Sequence, residues 1–409
     1  AYTRLGAGPD SARRNAGASP SGKATGFGPV MRRFESFRPS LLHQTRMCAA
    51  VAPISPSPSG DSMSQIAAPP IAAVVVLAAG LGTRMKSDLP KVLHTVCGLP
   101  LVRHVLRAAA PLGAGKTVVV LGHGHERVRP LLPVGCTVAL QETQRGTGHA
   151  LLSAASELPD GSILVVPGDT PLLTAEALRA LVEGHRVSGA VATVLTMRLE
   201  DPTGYGRVLR DDEGRVMKIV EHRDAGPDQL SVNEVNSGMY VLPARQALAI
   251  LQRVGTANAQ GEVYLTDVIE HLVEEGAPVA AVVADDAASL LGVNTRAELA
   301  QAEIIMNDRL CRMWMQVGVT IERPECTQVH AEVELNPDVH LHPFCSLRGT
   351  TVVGRGTTVG PCTTLVDTIL GRDCRVPHCY LEEAVIADGT VVTPFTVNVA
   401  GRCGWVGGA

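Results

Sequence analysis

The residues best suited to chemistry open at Val74, in the stretch VVVLAAGLGTRMKSDLPK that ends at Lys91. An apolar run, Val74–Ala79, stops at Gly80, and Gly80-Leu81-Gly82-Thr83-Arg84 follows as a glycine loop. A buried strand feeding such a loop lets main-chain N–H groups approach phosphate oxygens. Arg84 and Lys91 add two nearby cations suited to a polyphosphate. The pattern is neither a G-x-G-x-x-G nor a G-x-x-x-x-G-K-[ST] fingerprint, and by itself it also fits an ordinary turn. A second apolar run, Ser162–Val166, leads into Pro167-Gly168-Asp169. An acid at a strand end suits a metal carboxylate, and equally a cap or turn that Thr170-Pro171 would allow.

Those residues need elements to hold them. From Ile71 onward short β-branched runs alternate with helical patterns, which predicts a mostly parallel sheet covered by helices. Strands are expected at Val74–Ala78, Thr117–Leu121, Thr137–Leu140, Ser162–Val166, Ala190–Thr196, Gly206–Leu209, Val216–Val220, Val235–Leu242 and Val279–Val283. Helices are expected over Val92–Ala110, Gly148–Glu157, Leu265–Glu275 and near Ala244–Gln252. Another runs to about Val187, capped by Thr174 with Glu176 in its first turn. Residues Arg296–Gln316 carry Leu299, Ala302, Ile305, Met306 and Leu310 at helical spacing and read as a linker helix.

A different period follows. Leu335, Leu341, Leu347, Val353, Val359 and Leu365 recur every six residues; Leu370 and Val376 continue the series after a shorter step, and it resumes at Ile386 and Val392. Hexads of this kind specify a left-handed parallel β-helix, in which an aliphatic residue of each repeat points into a triangular prism.

Composition narrows the function classes. The 409 residues are 45% hydrophobic and 19% charged with a net charge of −4, which argues against a general nucleic-acid binder. No apolar run approaches the roughly 20 residues of a membrane span. Ten cysteines lie scattered without metal-site spacing; Cys374 and Cys379 read as free buried thiols of a reducing compartment. Residues 1–70 are rich in Ala, Ser, Gly, Pro and Arg, with Asp10, Glu35 and Asp61 as their acids. Disorder is expected there, as upstream non-native sequence before Met63 or, alternatively, as an organelle transit peptide.

The string LAAGLGTRM…LPKVLH resembles the signature of sugar-nucleotide pyrophosphorylases. It is most similar to the uridyltransferase half of the bacterial bifunctional N-acetylglucosamine-1-phosphate uridyltransferase/glucosamine-1-phosphate acetyltransferases. The resemblance covers about 71–400 and is strongest over 74–295. It implies a Rossmann-like α/β nucleotidyltransferase domain over 71–295, a linker helix over 296–320, a short left-handed β-helix over 321–400 and an irregular tail over 401–409. The implied reaction transfers UMP from UTP to N-acetylglucosamine-1-phosphate and releases pyrophosphate, with Mg2+ as cofactor, in a cytoplasmic homotrimer built on the β-helix.

The resemblance also distributes roles. Leu77, Ala78, Ala79 and Gly80 would contact the nucleotide along the strand end, and Arg84 and Lys91 would act on the triphosphate. Gln141-Glu142-Thr143-Gln144-Arg145-Gly146-Thr147-Gly148-His149-Ala150 resembles a uracil-binding segment. Gln141 can hydrogen-bond a pyrimidine edge, with Gly146 and Thr147 offering backbone groups, although Thr147 also suits a helix N-cap. Gly168 and Asp169 belong to the same set, and Asn294 in Gly292-Val293-Asn294 matches the partner of Asp169 on the metal. Gly206 in Asp201-Pro202-Thr203-Gly204-Tyr205-Gly206-Arg207, with Glu221 and Asn236, would receive the sugar. Pro167 departs from the family pattern and removes a backbone donor. Residues 401–409 resemble none of the coils that carry acetyl transfer, so that activity is expected to be absent, through truncation or loss. His340, His342 and His378 are read as exposed. Glucose- or mannose-1-phosphate pyrophosphorylases, a non-catalytic regulatory subunit of the same build and a β-helix acyltransferase are the competing readings.

Overall fold

The computed structural model describes residues 71–399 and the backbone of 402–405. The expected leader, residues 1–70, lies outside the described residues. The elements in chain order are β1 Ala73–Ala78, β2 Thr95–Val96, β3 Leu99–Pro100, α1 Leu101–Ala109, β4 Thr117–Leu121, α2 His125–Val128, β5 Thr137–Leu140 and α3 Thr147–Ser153. β6 Ser162–Pro167, α4 Ala175–Ser188, β7 Ala192–Arg198, β8 Arg207–Arg210, β9 Val216–Val220, α5 Pro227–Leu230 and β10 Glu234–Pro243 follow. Then come α6 Ala244–Arg253, α7 Asp267–Glu274, β11 Val279–Val283 and the long α8 Arg296–Gln316.

A nine-stranded sheet runs in the order β11-β7-β10-β6-β1-β4-β5, with β8 and β9 branching from β10. Every neighbour along the main path is parallel except β10, which is antiparallel to β6 and β7. Both faces are buried, which is why β1 reads as a continuous apolar run and not an alternating one. Val75, Val118, Val120 and Val165 pack on one side with Leu151, Leu251 and Leu272 of the helices. Val74, Val76, Val119 and Val166 pack on the other with Val102, Val105, Leu178 and Leu181. Each such side chain contributes roughly 1.5–3 kcal/mol on burial. From β1 the chain steps to β4 on one side and later to β6 on the other, so the strand order reverses between β1 and β6. Crevices at the carboxyl ends of such strands are where open α/β sheets bind ligands.

The expected helix over Val92–Ala110 is shorter than its apolar pattern suggests. Lys91–Leu93 forms a single tight turn, β2 and β3 make a small hairpin, and the helix begins only at Leu101. Pro100 disfavours helical geometry in the residue before it, and Gly98 turns the hairpin with a positive φ of 77°. The helix expected over Leu265–Glu275 likewise starts later, at Asp267. Thr174 caps α4 as anticipated, its hydroxyl accepting from the Ala177 amide at 3.2 Å.

Beyond α8 the chain winds into three parallel sheets of two- and three-residue strands, the left-handed β-helix that the hexads specify. One face stacks Ile321, Leu341, Val359 and Val376; a second stacks Val329, Leu347, Leu365 and Leu381; the third stacks Leu335, Val353, Leu370 and Ile386. Leu381 fills the gap that the six-residue period left between Val376 and Ile386, because two five-residue steps replace hexads there. Cys374 and Cys379 are free and buried in the same prism. Within 401–409, expected to be irregular, Arg402–Trp405 instead forms a strand running antiparallel to Thr396–Val399. It supplies hydrogen-bond partners to an edge that would otherwise be open.

The two halves share a core. Val96, Cys97 and Leu99 of the hairpin pack with Val293, Ala302 and Ala331, and the Ala331 amide donates to the Cys97 carbonyl at 2.8 Å. The apolar stripe of α8 faces this cluster through Leu299, Ile305, Met306 and Leu310, while Cys311 and Trp314 reach the prism.

Candidate active site

A cleft of about 630 Å³ opens at the carboxyl ends of β1 and β6. Leu77, Ala78, Ala79 and Gly80 form its floor, and the loop after β1 rises beside them through Gly82 to Arg84. Gly82 has a left-handed φ of 63°, and a Cβ there would lie 2.6 Å from that of Lys91. Only glycine lets the loop fold back so closely over Lys91. Gly168 is needed for a different reason. Its amide donates to the Leu77 carbonyl at 2.8 Å, and an added Cβ would meet Ala78 Cβ at 2.9 Å. It joins β6 to β1 behind the cleft and does not line it, while the next residue, Asp169, does.

Asp169 sits on the wall with Lys91 and Asn294. The Lys91 ammonium forms a salt bridge with Asp169 Oδ2 and donates to Asn294 Oδ1 at 2.9 Å. Two further contacts fix the acceptors. The Val293 amide donates to the Asp169 carbonyl at 2.9 Å, and the Asn294 amide donates to Glu298 Oε2 at 2.6 Å. Glu298 lies in the first turn of α8, whose N-cap Thr295 accepts from the Glu298 amide at 3.2 Å. The T-x-x-E signature at 295–298 is a helix-start signal visible in the sequence, and it marks the residue that anchors Asn294. A carboxylate and a carboxamide oxygen already converge on one cationic atom. That hard-oxygen pair suits a magnesium ion, which takes only one or two protein oxygens beside substrate phosphates. Arg84 lines the same cleft, exposed on its loop and making no salt bridge among the described residues.

On one flank lies the loop 141–147. Gln141 is buried, and its Nε2 donates to the Gly146 carbonyl at 3.1 Å and meets His149 Nδ1 at 2.9 Å. Thr147 is not the N-cap of α3; Gly146 occupies that position. The Thr147 hydroxyl accepts instead from the Leu265 amide at 3.1 Å, and the Gly148 amide donates to the Val263 carbonyl at 2.9 Å. The Asn258–Asp267 segment is therefore strapped to this loop, and it places Glu262, Leu265 and Thr266 on the cleft wall.

Gly206, Glu221 and Asn236 line the same cleft. The Asn236 amide donates to the Gly206 carbonyl at 2.9 Å. The pairing of β10 with β7 slips between Asn236 and Met239, and a bulge of this kind re-aims a side chain. Asn236 is then held from both ends, donating to the Tyr240 hydroxyl at 2.6 Å and accepting from the Gly238 amide at 2.9 Å. Burial pushes the Glu221 carboxyl above its ordinary pKa, with a smaller opposing effect from the Thr266 hydroxyl. Tyr205 and Tyr240 also line the cleft. Tyr205 lies in a loop whose sequence carries no signal for its hydroxyl, and Tyr240 is hidden in an apolar strand pattern.

The MobA-like NTP transferase domain matches residues 74–232, and with this sheet and cleft it makes the chain a nucleotidyltransferase. Relatives extend the match well beyond that domain's length. The chain is 45% identical over 323 residues to the bifunctional protein GlmU of Geobacillus thermodenitrificans, covering 78% of this chain and 70% of the relative. It is 44% identical over 334 residues to the GlmU of Mycobacterium bovis, covering 79% and 68%, and 45% identical over 325 residues to that of Thermobifida fusca, covering 77% and 67%. The chain belongs to the GlmU family, and it is an enzyme of sugar-1-phosphate nucleotidyl transfer.

Proposed function

We propose that this chain transfers UMP from UTP to N-acetylglucosamine-1-phosphate. A phosphate oxygen of the sugar phosphate bonds to the α-phosphorus of UTP, the bond from that phosphorus to the bridging oxygen breaks, and pyrophosphate leaves. The observation that supports the reading is that the Lys91–Asp169–Asn294 cluster shares one cleft with Gln141 and with Gly206, Glu221 and Asn236. Gln141, whose Nε2 is engaged by the Gly146 carbonyl and His149 Nδ1, keeps its Oε1 as an acceptor suited to a ring N–H on a pyrimidine edge. Gly206, Glu221 and Asn236, which line the same cleft, are suited to sugar hydroxyls and an acetamido group.

The nucleophile is already a dianion near neutral pH, so positioning and charge neutralisation carry the rate more than proton transfer. Arg84 and Lys91 neutralise charge that grows on the triphosphate oxygens. Asp169 and Asn294 would hold magnesium, which supplies further charge neutralisation at the α-phosphate when bound. Burial of Gln141, and partial burial of Glu221, limits water's competition for the groups they would bind.

We propose a homotrimer built through the β-helix and a cytosolic setting; the latter accords with the free thiols at the described cysteines. No described helix is long and apolar enough to cross a membrane. We assign uridyl transfer alone to the described residues. A panel of nucleoside triphosphates against sugar-1-phosphates, read by pyrophosphate release, tests the assignment: UTP with N-acetylglucosamine-1-phosphate is expected to lead. Turnover with ATP or GTP and none with UTP would overturn it, and acetyl-CoA turnover would overturn the restriction to one activity. Sedimentation velocity tests the trimer.

A further inference from the structure

Outside the cleft, one grouping of His, Cys, Asp and Glu side chains among the described residues brings three ligand atoms within 4.8 Å of one another: Glu322, His340 and His342. It lies on the β-helix, and it shares no residue with those assigned above to uridyl transfer. The strand Thr320–Ile321 stacks in parallel on His340–Leu341, pairing Ile321 with Leu341. Both of those side chains are buried in the prism. Strand alternation then turns Glu322, His340 and His342 outward on one face. Their backbones are pinned by the coils. The Glu322 amide donates to the Leu341 carbonyl at 3.1 Å, that of His340 to Thr357 at 3.0 Å and that of His342 to Val359 at 2.9 Å.

The side chains converge on one point. A single carboxylate oxygen, Glu322 Oε1, lies 2.8 Å from His340 Nε2 and 3.0 Å from His342 Nδ1. The two rings stand 4.6 Å apart, tilted by 30°. Two imidazole nitrogens and one carboxylate oxygen are a donor set for divalent transition ions, and a poor one for magnesium. Ligands about 2.0–2.1 Å from a tetrahedral zinc stand about 3.3 Å from one another. Spreading the present contacts by a few tenths of an ångström therefore admits the ion. The three side chains are between 32% and 39% exposed, so water can fill the remaining positions. Gly360 lies beside His342 in the next coil, where a Cβ would stand 3.1 Å from that of His342; glycine leaves that side uncrowded.

We propose that Glu322, His340 and His342 form a zinc-class transition-metal site on the outer face of the β-helix, tying its first two coils together. The site is separate from the oxygen pair of the cleft, and its occupancy does not depend on the reading of the cleft.

Calorimetric titration of Zn2+ into the full chain, stripped with chelator and then held in excess Mg2+, tests the proposal. The wild type is expected to bind one more equivalent than the His340→Ala/His342→Ala variant. Glu322→Gln, which retains an amide able to hydrogen-bond the histidines, is expected to weaken that equivalent by more than the roughly 10–100-fold that loss of an outer-shell partner costs. Zn2+ should raise the thermal transition of the wild type and leave that of the double variant in place. Equal zinc uptake by the wild type and a double variant that circular dichroism shows to be folded would overturn the assignment. So would wild-type affinity in Glu322→Gln.

Discussion

Lys91 and Asp169, 78 positions apart in the chain, meet in a salt bridge on the wall of the cleft, and the same ammonium holds Asn294. Both side chains are largely shielded, at 11% and 19% exposure, so the two charges attract through less water than a surface pair does, at a desolvation cost that a surface pair avoids. Lysine here neutralises the carboxylate and lines the same cleft as Gly80–Arg84, and the proposed reaction gives it a triphosphate to act on. Lys91→Ala removes that cation from both partners. We expect kcat to fall by about 10²–10³-fold, the scale set by losing one preorganised charge-stabilising donor. Steady-state kinetics with UTP checks this, and a fall below tenfold would place Lys91 outside the reaction.

Asp169→Asn keeps the size of the side chain and removes its charge. If Asp169 supplies one of few protein oxygens to magnesium, the variant should need more Mg2+ to reach half-maximal rate and should regain only part of the lost activity at saturation. A rate-against-Mg2+ titration is the measurement. A curve superimposable on that of the wild type would move the metal to other oxygens.

Arg84 differs from Lys91 in having no ion-pair partner among the described residues, and it rides on a short turn, Thr83–Met85. In the proposed reaction its guanidinium would meet charge that builds as the bridging P–O bond breaks. Interactions made mainly in the transition state show in kcat. Arg84→Ala should lower kcat by a larger factor than it raises KM for UTP. A change confined to KM would make Arg84 a ground-state binder.

The fold class was legible because its two halves carry different periods: continuous apolar runs before helices, then hexads. The ends of the strands gave the site for the same reason, since Gly80–Arg84 and Pro167–Asp169 each interrupt an apolar run. Other features could not be read in one dimension. The turn, hairpin and short helix of 91–109 share an apolar pattern that a single helix would also produce, and only Gly98 and Pro100 betray the break. Thr147 sits where a cap would, yet its hydroxyl serves the Leu265 amide from a segment far along the chain. Leu381 escaped a strict six-residue count because its coil is a residue short on two sides. The Glu322–His340–His342 convergence depends on coil stacking, which no spacing rule displays.

Asp267 at the start of α7 offers a test of electrostatics near the cleft. An acid in the first turn of a helix is ordinarily stabilised by the helix dipole, but this one is half-buried. Burial, then the neighbouring Glu270, push its carboxyl up from 3.8 to about 6, with His271 opposing and Asp224 adding to the rise. A carboxyl whose pKa is higher folded than unfolded keeps its proton longer in the native state. The native state then binds more protons than the unfolded one, and stability falls as pH rises. The decline should begin near 3.8, where the unfolded carboxyl ionises, and end just above 6, where the folded one has done so. Asp267→Asn removes the titration while preserving shape. The difference in thermal midpoint between variant and wild type should therefore be most favourable to the variant above pH 6 and shrink steadily toward pH 4. Paired thermal melts across that range supply the measurement. A difference that is constant with pH would show that Asp267 ionises as readily folded as unfolded, and one that grows toward acid would show that it ionises more readily folded.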